Sequence, residues 1–271
     1  MAVTATRSLP EWYRRAAKAG LIAKGIVYCL SGIIALLAAL NVGNNNGSEA
    51  GKKGVFGWIE HQPFGKWMVL ALGAGLVCYT LWRWIQAFKD TEHKGHDGSG
   101  LSKRAAYLSS GFGYAGVAFY AFKTFAGAGG GGDQQKTVAA KLLHQPFGEW
   151  LLGGVAIGMA AVGVYQLYRA VSGKYKKHVR DALHRDAGGW VSKLGIAGYT
   201  ARGVVWLIIG WFFARAAMNK RASEAGGTDD VFSWLEQGPW GMLLLSTVAV
   251  GLLCYGLFTF VRAKYQPIHF R

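Results

Sequence analysis

His61-Gln62-Pro63-Phe64-Gly65 recurs as His144-Gln145-Pro146-Phe147-Gly148, and a third time, altered, as Gln237-Gly238-Pro239-Trp240-Gly241. Each string opens a long apolar stretch: residues 67–82, 150–168 and 237–261. Proline suits the first turn of a helix, where its missing N–H has no partner anyway. The aromatic beside it suits the headgroup level of a bilayer. Three further apolar stretches precede the strings, residues 19–40, 105–122 and 194–214, broken inside only by Lys24 in the first and Arg202 in the last. A membrane-crossing helix needs about 20 mostly apolar residues, so six spans are expected. The balance of the whole chain agrees. Of 271 residues, 52% are hydrophobic and 16% charged, against about 25% charged in soluble domains. No alternating strand pattern supports a barrel. The first stretch is longer than the roughly 7–15 apolar residues of a signal peptide, and it has uncleavable counterparts further along the chain.

The expected fold class is all-α integral membrane, with six transmembrane helices as three tandem two-helix repeats. The repeats cover residues 12–90 (spans 19–40 and 64–86), 101–176 (spans 105–125 and 147–169) and 190–265 (spans 194–216 and 240–262). Eight residues past each proline stand Ala71, Gly154 and Thr247; four further on stand Gly75, Gly158 and Gly251. Small residues four apart let helix backbones approach in lipid, so Gly75, Gly154, Gly158 and Gly251 are expected to face another helix. The aromatics Trp82, Tyr165 and Phe258 follow on the same face. The first spans of the repeats also align: Gly20 and Gly25, Gly111 and Gly116, Gly198 and Gly203, then Tyr28, Phe119 and Trp206. Before the second glycine come Lys24, Ala115 and Arg202. Such threefold agreement marks an internal repeat.

Lys24-Gly25-Ile26-Val27-Tyr28 and Ala201-Arg202-Gly203-Val204-Val205-Trp206, each followed by its Pro-aromatic-Gly string, resemble the family called domain of unknown function 1206. The resemblance runs from about Trp12 to Tyr265 and implies bacterial membrane proteins with three two-helix repeats and no assigned activity. The middle copy departs from it at Ala115. An even number of spans per repeat makes the copies parallel, related by an axis along the membrane normal. A pseudo-threefold arrangement of hairpins is therefore expected.

Lys and Arg residues between the stretches divide eighteen to six between alternate connections. The positive-inside rule then puts both termini in the cytoplasm, and the family resemblance implies that the membrane is a bacterial cytoplasmic one. The net charge of +16 is mostly this topology signal, and no nucleic-acid partner is implied. Lys174, Lys176, Lys177 and Arg180 form a polybasic segment whose default partner is anionic headgroups on the cytoplasmic side. Cys29, Cys78 and Cys254 lie inside spans, so no disulfide framework is expected.

All fourteen Asp and Glu fall outside the spans or at their ends, and no His lies within one. Proton and cation pathways usually need such groups. No spaced catalytic motif appears, so no catalytic residue, metal site or cofactor is expected. Lys24 and Arg202 are the sharpest polar signals. One reading is an anion or lipid-headgroup contact between repeats. The other, less costly, is snorkelling to cytoplasmic headgroups. Lys123 and Arg215 are expected to snorkel outward. His61 and His144 suit capping better than metal binding, and His93 with His96 is weaker still. The function expected is a structural, accessory or lipid-interacting membrane protein, with a membrane-protein partner left open. The alternative is a channel or carrier for an anion or small neutral solute along the axis.

Overall fold

The computed structural model describes residues 11–42, 51–89, 97–128, 134–179 and 189–266. The described residues are helical. Six long helices alternate with three short ones: α1 (Glu11–Ala39), α2 (Lys52–Glu60), α3 (Gly65–Phe88), α4 (Gly98–Phe125), α5 (Gln134–Leu143), α6 (Gly148–Ser172), α7 (Trp190–Met218), α8 (Thr228–Gln237) and α9 (Gly241–Tyr265). Each repeat is thus long, short, long rather than a plain hairpin. Five of the long helices are long and apolar enough to cross a membrane: α1 from Arg14, α3, α6, α7 and α9. Helix α4, at 28 residues, is long enough but less apolar. Its serines, glycines and tyrosines dilute the aliphatic content.

The short helices explain the repeated strings. Val55, Phe56 and Ile59 on α2 are fully buried, as are Val231 and Phe232 on α8, with Leu235 nearly so. Spacing of one and four residues puts each trio on one helical face. In α5 the equivalent positions are Val138, Ala139 and Leu142, and only Ala139 is fully buried while Val138 is exposed.

After each short helix the chain turns sharply. The Gly65 N–H donates to the Gln62 carbonyl at 2.8 Å, Gly148 to Gln145 at 2.9 Å and Gly241 to Gly238 at 2.9 Å. Phe64, Phe147 and Trp240 adopt φ of 60°, 60° and 65°. A proline second and a left-handed residue third is the pattern of a type II turn. The proline therefore lies in the turn rather than in the first turn of the helix as expected. A left-handed conformation costs an L-residue about 1–2 kcal/mol, yet an exposed aromatic occupies it in every copy. The following glycine is obligatory. A Cβ at Gly65 would collide with the Ile59 carbonyl, at Gly148 with that of Leu142, and at Gly241 with that of Glu236.

The long helices neighbour one another in the order α4, α3, α1, α9, α7, α6. The contacts between repeats, α3 with α4, α6 with α7 and α9 with α1, are the extensive ones. Within repeats, α1 meets α3 and α7 meets α9, but α4 and α6 form no comparable interface among the described residues. Glycines set these approaches. A Cβ on Gly203 of α7 would lie 3.1 Å from the Gly163 carbonyl of α6, and one on Gly256 of α9 would lie 2.9 Å from the Gly25 carbonyl of α1.

Gly75 and Gly251 sit against helices: a Cβ on Gly75 would be 2.6 Å from the Cβ of Ala23 on α1, and one on Gly251 would overlap that of Ala201 on α7. Gly154 and Gly158 depart from the expectation, since nothing lies within 4 Å of either. The cause is in the partner helix. By the repeat alignment, Ala23 and Ala201 correspond to Tyr114 on α4. A tyrosine cannot nest against a glycine as alanine does, so α4 stays apart from α6.

Replacing Gly75 or Gly251 with Leu is therefore expected to cost about 1–3 kcal/mol or more, the range for overpacking, and to lower the melting midpoint in mild detergent. Gly158→Leu should melt like the parent. A Gly158→Leu midpoint as low as the other two would place a helix against that face of α6.

Candidate functional site

Lys24 lies thirteen residues into α1 and Arg202 twelve residues into α7. At 1.5 Å per residue each is roughly 18–20 Å from its helix start and no nearer to the other end. Neither side chain reaches out of the bundle. Lys24 is 2% exposed and Arg202 9%. Both turn into the bundle, which corrects the snorkelling reading.

Tyrosines receive them. The Lys24 ammonium donates to the Tyr79 hydroxyl at 2.9 Å. It also stands 4.6 Å from the Tyr79 ring centroid, 4.8 Å from that of Tyr114 and 5.5 Å from that of Tyr255. The Arg202 guanidinium donates to the Tyr255 hydroxyl at 2.5 Å and faces the rings of Tyr255 and Tyr28 at 4.4 and 5.1 Å. The rings close on one another. Tyr28 and Tyr255 meet edge to face at 4.8 Å, Tyr79 and Tyr114 at 4.7 Å, and the Tyr114 hydroxyl donates to that of Tyr28 at 3.1 Å. Helices α1, α3, α4 and α9 each supply one tyrosine of this cage. Arg83 joins it from α3, donating through Nε to the same Tyr79 hydroxyl at 2.8 Å.

The cage holds positive charge without a carboxylate. Among the described residues, neither Lys24 nor Arg202 pairs with an acid. Ion pairs occur elsewhere, at Arg15–Glu11, Lys136–Asp230, Arg215–Glu224 and Lys220–Glu149. Ring faces attract a desolvated cation by about 2 kcal/mol. Two such charges side by side still repel. The arrangement is therefore electrostatically suited to accept an anionic group.

The internal repeat identifies the working unit. Sixteen residues past each proline stand Tyr79, Val162 and Tyr255. Repeats one and three pair base with tyrosine, Lys24 with Tyr79 and Arg202 with Tyr255, while repeat two has Ala115 and Val162. Both members of the pair are replaced together. The sequence reading singled out the basic residues and missed their tyrosines, although this joint change was visible in the alignment of the copies.

Beside Arg202 opens a cleft of about 190 Å³, well over the ~15 Å³ needed for one water. Gly113, Val117 and Tyr120 of α4 form one wall, and Met159 of α6 and Ile209 of α7 the other. Arg202 and Tyr28 lie at one end, Gln135, Thr228 and Asp229 at the other.

The remaining candidates are peripheral. Lys174 and Lys176 are exposed on a 3-10 helix, Lys174–Val179. A hydrogen bond with Tyr168 raises the pKa of Lys174, and its ammonium lies 4.6 Å from that ring centroid. Between them Tyr175 is fully buried and donates to the Ser192 carbonyl at 2.9 Å, pinning the basic segment to α7. The side chain of Lys177, and Arg180, His93 and His96 entirely, lie outside the described residues. The His61 ring bonds the Gly57 carbonyl at 2.8 Å, a capping role. Arg215 pairs with Glu224 at 3.3 Å. No group of three His, Cys, Asp or Glu suited to a metal occurs among the described residues.

Tyr255→Phe keeps the ring beside Arg202 but removes its hydroxyl acceptor. A hydrogen bond to a charged group contributes about 1.5–3 kcal/mol, so this variant should melt measurably earlier in detergent. A parent-like midpoint would show that the hydroxyl contributes nothing.

The family described as Domain of Unknown Function (DUF1206) matches this chain at residues 19–90, 105–173 and 197–266, one match per repeat. The Uncharacterized protein YxxB of Bacillus subtilis (strain 168) is 31% identical over 256 residues, covering 94% of this chain and 92% of that protein. No solved structure matches the chain.

Proposed function

The chain belongs to the DUF1206 family, and from that premise we propose that it is a non-enzymatic, multi-pass protein of the bacterial cytoplasmic membrane that holds the anionic group of a membrane lipid inside its bundle. The observation that carries this reading is the pair of buried cations, Lys24 and Arg202, caged by tyrosine without a carboxylate. A buried charge with no counter-charge is costly, and a phosphate or carboxylate supplied by lipid relieves it. In this reading all six long helices span the membrane, α4 included, because α4 holds the place in its repeat that α1 and α7 hold in theirs. The three large contacts between repeats support a pseudo-threefold arrangement. The eighteen-to-six division of Lys and Arg supports cytoplasmic termini, with Lys174 and Lys176 at cytoplasmic headgroups.

A second reading, a channel or carrier for an anion or small neutral solute, is favoured by the cleft that reaches Arg202. Against it, Tyr28, Tyr79, Tyr114 and Tyr255 fill the centre at the level of Lys24.

Purified in mild detergent, the protein should carry anionic phospholipid detectable by native mass spectrometry. Lys24→Met with Arg202→Gln should lower that occupancy about tenfold or more, as loss of a charge-assisted contact requires. Equal lipid content in parent and variant would falsify the reading. Flux of a radiolabelled anion into proteoliposomes by the parent, absent in the variant, would favour the carrier instead. For orientation, a cysteine at Gly130 should react with an impermeant maleimide on intact cells; reaction only after lysis would reverse the topology.

A further inference from the structure

Resting on the anionic-group reading above, we infer that the cleft beside Arg202, on the side where α4 stands apart from α6 and walled by α4, α7 and Met159 of α6, binds a single-chain anionic amphiphile, a long-chain carboxylate, whose charged end lies against Arg202 and whose chain runs along α4. The gap is a built feature. Repeats one and three close the same place with glycine against alanine, Gly75 on Ala23 and Gly251 on Ala201. Repeat two keeps the glycine, Gly158, and replaces the alanine with Tyr114. The tyrosine turns inward to the cage, 4.7 Å from the Tyr79 ring, and α4 packs on α3 instead of on α6. Nothing lies within 4 Å of Gly113 on α4 or of Gly154 and Gly158 on α6.

The chemistry of the cleft is graded. Its walls at Val117, Met159, Ile209 and Leu252 are apolar. Arg202 lines it while more than nine-tenths buried. A guanidinium has five N–H donors, and its hydrogen bond among the described residues goes to Tyr255, so donors remain for a carboxylate. Lys24 does not line the cleft, so an incoming molecule meets one positive charge and needs one negative.

Charge also argues against a second copy of this chain in the gap. The unpaired glycines of α6 would accept a helix, but the apolar stretches of this chain carry no Asp or Glu except at their ends. A second copy therefore brings no counter-charge to Arg202.

The test uses the full-length protein in lipid nanodiscs. The probes are a long-chain carboxylate with a diazirine on its chain, the alcohol of equal length, and butyrate. The carboxylate is expected to label α4 and α6 around Gly113 and Met159, and the alcohol to label them about tenfold less, the loss of a charge-assisted contact. Gly113→Leu, at an open position on the cleft wall, should fill the cleft and abolish labelling while butyrate still protects the protein against thermal unfolding. Arg202→Gln should remove both effects. Labelling that survives Gly113→Leu, or that is equal for the alcohol, overturns the cleft and leaves the anion reading standing. Absence of both labelling and butyrate protection overturns the two together. A cross-link between the α6 helices of two copies that the long-chain carboxylate does not displace would assign the gap to self-association and overturn the inference.

Discussion

A lysine and an arginine that lie within long apolar helices and turn into the bundle must find their partners inside the protein. Here the partners are phenol hydroxyls and ring faces. The centre of the bundle is organised around that need. Tyr79 and Tyr255 stand opposite their bases because Gly20 and Gly198 admit the backbones of those tyrosines closely. The glycines that looked like general packing residues thus serve to bring a hydroxyl to a cation. Tyr28 and Tyr114 complete the enclosure through a mutual hydrogen bond. Neutralisation is left incomplete, since phenols stabilise charge without cancelling it.

The second organising fact is that the three copies are not equivalent. The outer two retain base, tyrosine, glycine and alanine. The middle copy has lost the base, its tyrosine and the small partner of Gly158, and α5 buries less than α2 or α8. These changes belong together physically. Without the base no hydroxyl is needed at Val162, and without the close helix contact Tyr114 is free to lean into the cage of its neighbours. One repeat has in effect lent its first helix to the charge site and opened its own interior. A symmetric array becomes a bundle with one distinct side, and that side is where Arg202 can be approached.

The turns before α3, α6 and α9 form a third constraint, at the opposite ends of these helices from Arg83, Arg169 and Arg262. A left-handed aromatic is disfavoured on its own, yet each copy keeps one. The geometry is over-determined by the glycine that follows, packed on the last carbonyls of the short helix. Each turn presents an exposed aromatic, Phe64, Phe147 or Trp240, so the short helix and its turn form one structural unit made three times.

The sequence by itself determined the helical class, the three repeats and the long apolar helices, because these rest on composition, period and self-similarity, which are local properties of the chain. It also drew attention to Lys24 and Arg202 as exceptions within apolar stretches. The short helices were legible but overlooked, in Val55-Phe56 with Ile59 and Val231-Phe232 with Leu235. Only the tertiary structure decided where the two cations point, that Gly75 and Gly251 are covered while Gly158 is open, and that α4 leaves its own repeat to pack on α3. Each of these depends on which side chain from another helix occupies the facing position. A Tyr114 in place of an alanine reads as one substitution along the chain; across a helix interface it separates two backbones and opens a cleft.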